Sequence, residues 1–392
     1  MKQLAKFIFI FGSLSFVSSL FASKARMESL GQGTESIYLE DTRSIFINPS
    51  KLNVVKNYVI TEWGTANNTG IDSLDAPTAE GGFFKESGVF IYGLYLGSDF
   101  DSQNALRIGG TGYAGSSIRF GENKFLVHDN GIDFFFAGDM GTKWGARFHF
   151  AEGNGEVDDG AGIKRKQSTY GLGMGIVSGR IELSGNAILK DESEGADSGK
   201  DLWAAETSYH GAAVYHLGQY RLLASYRYEG ASYTNWTFSP NKTERRVYRA
   251  GFSKLKKINA KDLFIFELTY NITAAEDVDG ANPSNNYEKT IKSLPLVLAF
   301  ETRATRWLIL RGSVKQSIFV NEAEIETAGS KAVKTIEDTT DVSAGASLVF
   351  GKLFLDGMIG TTGMDRNGTN SSKRGVLSTD NLMTRVSARY NF

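Results

Sequence analysis

The chain ends in Leu382-Met383-Thr384-Arg385-Val386-Ser387-Ala388-Arg389-Tyr390-Asn391-Phe392. Even positions carry Leu382, Thr384, Val386, Ala388, Tyr390 and Phe392, and odd positions carry Met383, Arg385, Ser387, Arg389 and Asn391. A strand sends successive side chains to opposite faces, so this period of two separates an apolar face from one bearing two arginines. The alternation recurs upstream. Phe264, Phe266, Leu268, Tyr270 and Ile272 oppose Glu267, Thr269 and Asn271. Leu222, Ala224, Tyr226 and Tyr228 oppose Arg221, Ser225, Arg227 and Glu229, while Trp144, Ala146, Phe148 and Phe150 oppose Gly145, Arg147 and His149.

The connections alternate too. Very short links fall near 85–88, 139–141, 178–180, 217–219, 258–261, 305–307 and 350–352. Between them lie long stretches rich in Gly, Asn, Ser, Asp and Glu, near 65–78, 98–130, 152–166, 191–203, 231–244, 275–289, 321–338 and 363–379. Up-and-down hairpins with tight turns at one end and long loops at the other are the topology of a transmembrane antiparallel β-barrel, with periplasmic turns and extracellular loops. The segments number about 16, starting at 57–64, 79–85 and 88–97 and ending at 352–362 and 380–392. With both chain ends on the tight-turn side the number is even. The two short strands before residue 86 leave 14 as the alternative. A soluble β-sandwich alternates equally well. It does not call for strands of about 10–14 residues, which reach the 9–11 that a tilted spanning strand needs.

At the other end, Lys2 and Lys6 precede an apolar run over 7–22. A charged start, an apolar stretch shorter than a spanning helix and small residues after it predict a signal peptide over 1–22, with cleavage as late as 25. Residues 23–56 then form an N-terminal periplasmic or plug segment, and 57–392 the barrel. Composition agrees. There are 44 glycines, 5 prolines and 12% aromatics, and a closed barrel has no edges to protect with proline. The balance of 43 basic against 44 acidic residues argues against nucleic-acid binding. The absence of cysteine removes thiolate catalysis, thiolate metal sites and disulfides.

The ending Val386-Ser387-Ala388-Arg389-Tyr390-Asn391-Phe392 resembles the C-terminal signature of Gram-negative outer-membrane porin-like barrels. The resemblance implies that Phe392, Tyr390, Ala388 and Val386 are read by the barrel-assembly machinery. A second stretch, Asp41-Thr42-Arg43-Ser44-Ile45-Phe46-Ile47-Asn48-Pro49-Ser50, is similar to the N-terminal Asn-Pro-Ala region of long-chain fatty-acid transporters, with Ser50 in place of the usual Ala. That similarity implies a plug around Asn48 and Pro49. An Asn-Pro turn leading into the first strand reads the same residues without one.

In a membrane barrel the apolar set faces lipid and the other set faces inward. Inward candidates are Arg147, Glu182, Arg221, Arg227, Glu229, Arg249, Glu267, Arg311, Lys315, Arg385 and Arg389, with His149, Lys190, Glu301, Arg303, Asp341 and Asp356. Turning a midplane Arg or Lys to lipid would cost about 2–4 kcal/mol. A lumen of about 16 strands is too wide for side chains to fill and tends to hold water. The expected function is therefore a porin-like channel for passive diffusion of small hydrophilic solutes, without a cofactor and without catalysis. The alternatives are a transporter of hydrophobic compounds with 26–56 as its plug, and a closed structural or adhesion barrel. Expected partners are outer-membrane lipids, lipopolysaccharide, the assembly machinery and small solutes. The pattern is that of monomeric barrels and homotrimers alike.

Further expectations follow. Loop 98–130, about twice as long as the others, either folds inward as a constriction or hides a hairpin near 105–120. Trp144, Trp307, Tyr58 and Tyr390 suit a periplasmic aromatic belt, and Trp63, Trp203 and Trp236 the outer belt or loop packing. Gly171, Gly173 and Gly175 smooth one strand face. His128 and Asp129, being adjacent, point to opposite faces of a strand and do not make a catalytic pair.

Overall fold

The computed structural model describes residues 23–33, 36–63, 79–98, 104–107, 111–121, 125–126, 131–157, 163–195, 201–235, 238–259, 261–327, 330–335, 340–361 and 385–392. The signal peptide over 1–22, the loops 65–78 and 363–379, His128 and Trp236 lie outside them.

The strands are β1 Tyr58–Trp63, β2 Ala79–Ser87, β3 Phe90–Leu96, β4 Ile132–Asp139, β5 Lys143–Val157, β6 Ile163–Ser178, β7 Ile181–Glu194, β8 Leu202–Ala205, β9 Ser208–Leu217 and β10 Tyr220–Asn235. They continue as β11 Phe238–Lys257, β12 Asp262–Val278, β13 Tyr287–Thr302, β14 Leu308–Thr327, β15 Ser330–Thr335, β16 Thr340–Phe350, β17 Leu353–Thr361 and β18 Val386–Asn391. β8 and β9 both bridge β7 to β10, and β15 and β16 both pair with β14. Each couple serves as one interrupted strand, so the barrel has sixteen. Every pairing is antiparallel, and β1 closes on β18 with Tyr58 opposite Asn391 and Trp63 opposite Val386. Both short strands before residue 86 are present, which sets the fourteen-strand alternative aside.

The tight turns have local causes. Gly88, Gly179, Gly218 and Gly351 take positive φ in two-residue hairpin turns, and Gly141 does so in a three-residue one. In two turns a side chain takes that part. Asn259 Oδ1 accepts from the backbone N–H of Lys261 (2.7 Å) and Asp262 (3.0 Å). Thr305 Oγ1 accepts from those of Trp307 (3.2 Å) and Leu308 (3.0 Å). At the opposite end, strands run further than expected. β10 and β11 take up nearly all of 231–244, and β14 reaches Thr327. Their outward faces there carry ion pairs, such as Lys292 with Glu322 at 3.3 Å. A strand that has left the lipid no longer needs an apolar outer face.

Lower on the wall the outward set is apolar: Phe134, Phe148, Met174, Leu222 and Tyr390 are exposed. This wide apolar surface on a closed barrel is that of an outer-membrane protein. Two positions depart from simple alternation. Lys190, expected inward, is exposed beside Glu192, because a bulge shifts the register between Tyr170 and Gly171 on β6 against Lys190 and Ile188 on β7. On β14 a second irregularity faces Pro295, which has no N–H to give the ladder. There Phe319 takes φ 60° and is 93% exposed.

The interior is not an open channel. Residues 23–33 and 36–57 lie inside the barrel, with helix α1 Lys24–Ser29, helix α2 Ser44–Ile47 and a 3₁₀ turn Pro49–Asn53. Ile45, Phe46, Ile47, Leu52 and Val55 bury themselves against Ile60, Phe84, Ile91, Tyr95, Phe135 and Ala137 of β1–β4. Met27, Leu30 and Leu39 pack on Ile265 and Ala299 of β12 and β13. Tyr58, expected in the periplasmic belt, instead points inward, 1% exposed and stacked on Phe84 at 4.8 Å. The apolar inner face of β1–β4 is the dock of the N-terminal segment, and Tyr58 belongs to it.

Candidate functional site

The cations of the N-terminal segment meet acids of the wall on several sides. Arg26 holds Glu301 of β13 through Nε (2.8 Å) and Nη2 (3.0 Å) and Asp41 through Nη1 (3.1 Å). Arg43 Nη1 reaches Glu80 at 3.2 Å, Glu62 at 3.6 Å and the Tyr95 hydroxyl at 3.2 Å, with its guanidinium 4.3 Å from the Phe46 ring centre. Lys24 pairs with Glu80, and Lys51 with Glu182 of β7 at 2.5 Å. In the other direction Arg385, just before β18, reaches Glu28 at 2.8 Å. Burying so many charges demands partners, and breaking one such pair costs about 3–5 kcal/mol.

The Asn-Pro turn is seated by glycines. Asn48 Oδ1 accepts from Ser50 N (3.2 Å) and Oγ (2.6 Å), shaping the 3₁₀ turn. Asn186 of β7 donates to the Ile47 carbonyl at 2.7 Å. A Cβ on Gly175 would run into the Asn48 side chain, and one on Gly145 into the Pro49 carbonyl. The smooth glycine face of β6 is thus where the turn approaches the wall.

All eleven lumen candidates point inward, yet most do not line water. Arg147 donates to Asp133 at 2.8 Å beside His149, which meets the same carboxylate at 2.8 Å. Glu182 is shared by Lys51 and His216, each at 2.5 Å. Arg311 joins Glu301 at 2.5 Å and Asp356 at 3.5 Å. Arg389 lies over the Phe354 ring at 4.7 Å, and Arg221 donates to the Tyr38 carbonyl. Glu229 takes Arg245 Nε at 2.8 Å, with Arg227 3.8 Å away. The water-filled lumen expected from strand number is therefore corrected: the width is real, but the chain fills much of it with its own N-terminal residues.

The described residues of loop 98–130 fold inward. Among them, Leu106, Ile118, Phe120 and Phe125 pack with Trp203, Ala231 and Tyr233. Trp203 is hence an interior residue, with the Arg107 guanidinium 4.5 Å above its ring. Asp277 of β12 accepts from the backbone N–H of Ala114 (3.2 Å) and Ser116 (3.0 Å) and from Thr243 Oγ1 (2.6 Å). The hidden hairpin is reduced to one bridge, Thr111 with Arg119.

Between the N-terminal segment and the wall of β9–β14 lies a cavity of about 290 Å³. Arg249, Glu267 and Lys315 line it with Thr269, Asn271, Ser225 and His210, and Gln32 and Tyr38 face them from the N-terminal side. These three charged residues are the lumen candidates that border this cavity.

No family model and no curated protein matches the chain. Solved structures do, at low identity. OmpT, an outer membrane protein of Vibrio cholerae, is 10% identical over 86% of this chain and 97% of its own, with a TM-score of 0.34. The CymD monoaromatic hydrocarbon channel is 8% identical over 93% and 96%, with a TM-score of 0.37. The FrpB iron transporter from Neisseria meningitidis is 11% identical over 77% and 61%, with a TM-score of 0.33.

Proposed function

We propose that this outer-membrane barrel is a channel for small hydrophilic solutes, narrowed by its own N-terminal segment to the polar cavity along β9–β14. The observation that carries this reading is the composition of that cavity, whose wall sets Arg249, Glu267, Asn271 and Lys315 among Leu223, Pro295 and Val297 and so breaks any continuous apolar track. Such a lining welcomes hydrated polar solutes and repels apolar ones, since each unpaired polar group costs free energy when dehydrated. The inner face of β1–β4 is apolar enough to serve a hydrophobic compound. It is covered by Phe46 and its neighbours, which favours the hydrophilic reading.

The same reading has the chain exported by a signal peptide over 1–22 and inserted through recognition of Phe392, and it involves no catalytic step. Swelling of liposomes containing the refolded protein tests it. Small sugars and amino acids should enter slowly and in order of size. Entry of apolar solutes alone, or of nothing, would contradict it.

A further inference from the structure

The cavity wall has a particular arrangement of unmet hydrogen-bonding groups. Glu267 on β12, Val297 on β13 and Lys315 on β14 are register neighbours in one row, Glu267 opposite Val297 and Val297 opposite Lys315. The row spans two strand spacings, about 10 Å, with the two charges at its ends and an apolar floor between. One rung system higher, Arg249 of β11 stands opposite Asn271 of β12.

Two acceptor atoms here stand out. Glu267 Oε1 takes the Thr269 hydroxyl at 3.1 Å, and Thr269 in turn meets the Tyr38 hydroxyl at 3.1 Å. Glu267 Oε2 and Asn271 Oδ1 are buried without a partner at close hydrogen-bond range, with the Gln32 amide beside the Glu267 carboxylate. A native interior rarely leaves such atoms unpaired without a purpose. Across the floor, the Lys315 ammonium is attracted to Glu267 and to Asp341, which faces it in register, without a hydrogen bond to either among the described residues.

We propose that this row is a binding subsite for a small zwitterion, an α-amino acid in chemical class. Its ammonium would sit on Glu267 Oε2 and its carboxylate on Lys315, with the carbon between them over Val297. Asn271 and Arg249 repeat an acceptor and a cation on the adjoining rungs, and so give the solute a second pair of contacts on its way. Arg249, Lys315, Glu267 and Asp341 balance in charge, so neither a simple anion nor a simple cation is favoured, whereas a molecule bearing both ends satisfies both. A cavity of about 290 Å³ suits a metabolite rather than a peptide.

This inference rests on the channel reading for its purpose, but its test does not. Calorimetry on the full refolded chain would compare L-alanine with three relatives of similar size: lactate, alaninol and propionamide. L-Alanine should bind, and the others about tenfold more weakly or not at all. Glu267→Gln and Lys315→Met should each weaken L-alanine by about tenfold or more, and heat-modifiable migration checks that each variant is folded. Equal binding of all four compounds, or of L-alanine to wild type and both variants alike, overturns the proposal, as does the absence of L-alanine binding. If L-alanine binds as stated but does not enter liposomes, the subsite stands and the channel reading fails. If solutes pass without this discrimination, the channel stands and the subsite falls.

Discussion

Arg26 grips Glu301 with two parallel hydrogen bonds, Nε to Oε2 at 2.8 Å and Nη2 to Oε1 at 3.0 Å, and both side chains are almost fully buried. One residue belongs to the segment inside the barrel and the other to its wall. Arg311 shares the same carboxylate. Glu301 is therefore the point where wall and plug are joined, and the fork geometry of Arg makes the joint directional as well as strong.

Loosening that joint should open the lumen. Arg26→Met leaves Glu301 with Arg311 alone and strips Asp41 of its 3.1 Å partner, at a cost of about 3–5 kcal/mol in docking. The barrel ladder is untouched, so the variant should fold. A cysteine placed at Ser44, in a chain that has none, reports the change: it should react slowly with a charged maleimide in the parent and much faster in the Arg26→Met background.

The glycine seat gives a second handle. Gly175→Val forces a side chain into Asn48, and overpacking of this kind costs about 1–3 kcal/mol. Gly185→Val, where a Cβ meets nothing within 4 Å, is the control. Bilayer recordings should show larger or noisier current for the first and unchanged current for the second.

The outer loop depends on one carboxylate. Asp277→Asn keeps the size of the side chain but replaces an acceptor oxygen by a donor among the N–H groups of Ala114 and Ser116. Losing such bonds to a charged group costs roughly 1.5–3 kcal/mol. Limited proteolysis of intact cells or proteoliposomes should cut within 111–121 faster in the variant, with the barrel core still resistant.

Lipid-facing positions respond to charge in the opposite manner from inner ones. Phe148 is 53% exposed on the outer face of β5, so Phe148→Arg should lower folding stability in liposomes by about 2–4 kcal/mol. Denaturant titration of the two proteins reads the difference. Phe148→Leu should cost far less.

The barrel was legible because its alternation is strict: the even set of β12 and the odd set of β5 could be assigned by counting. What stayed open was the occupant, because a plug and a plain Asn-Pro turn read residues 41–50 equally well. Inward residues such as Arg147, Arg311 and Arg385 look the same in a sequence whether they face water or a buried partner. A signal for the plug did exist in Phe83-Phe84, Phe90-Ile91-Tyr92 and Phe134-Phe135-Phe136, where both strand faces are apolar. A wall against water would not spend Phe84 and Phe135 on its inner face. Lys190 and Tyr58 were misplaced for separate physical reasons: a bulge changes phase locally, and an aromatic near a turn can serve a core as well as a belt. The cavity row of Glu267, Val297 and Lys315 needs the register of three strands, which no single segment contains.

The central claim is that the N-terminal segment narrows a wide barrel to a polar side passage. Single-channel conductance of wild type against the double variant Arg26→Met, Arg43→Met tests it most directly. The wild type should show small, infrequent openings and the double variant steps several times larger, both from protein that migrates as a folded barrel. Large, steady steps from the wild type, unchanged when the two arginines are removed, would contradict it.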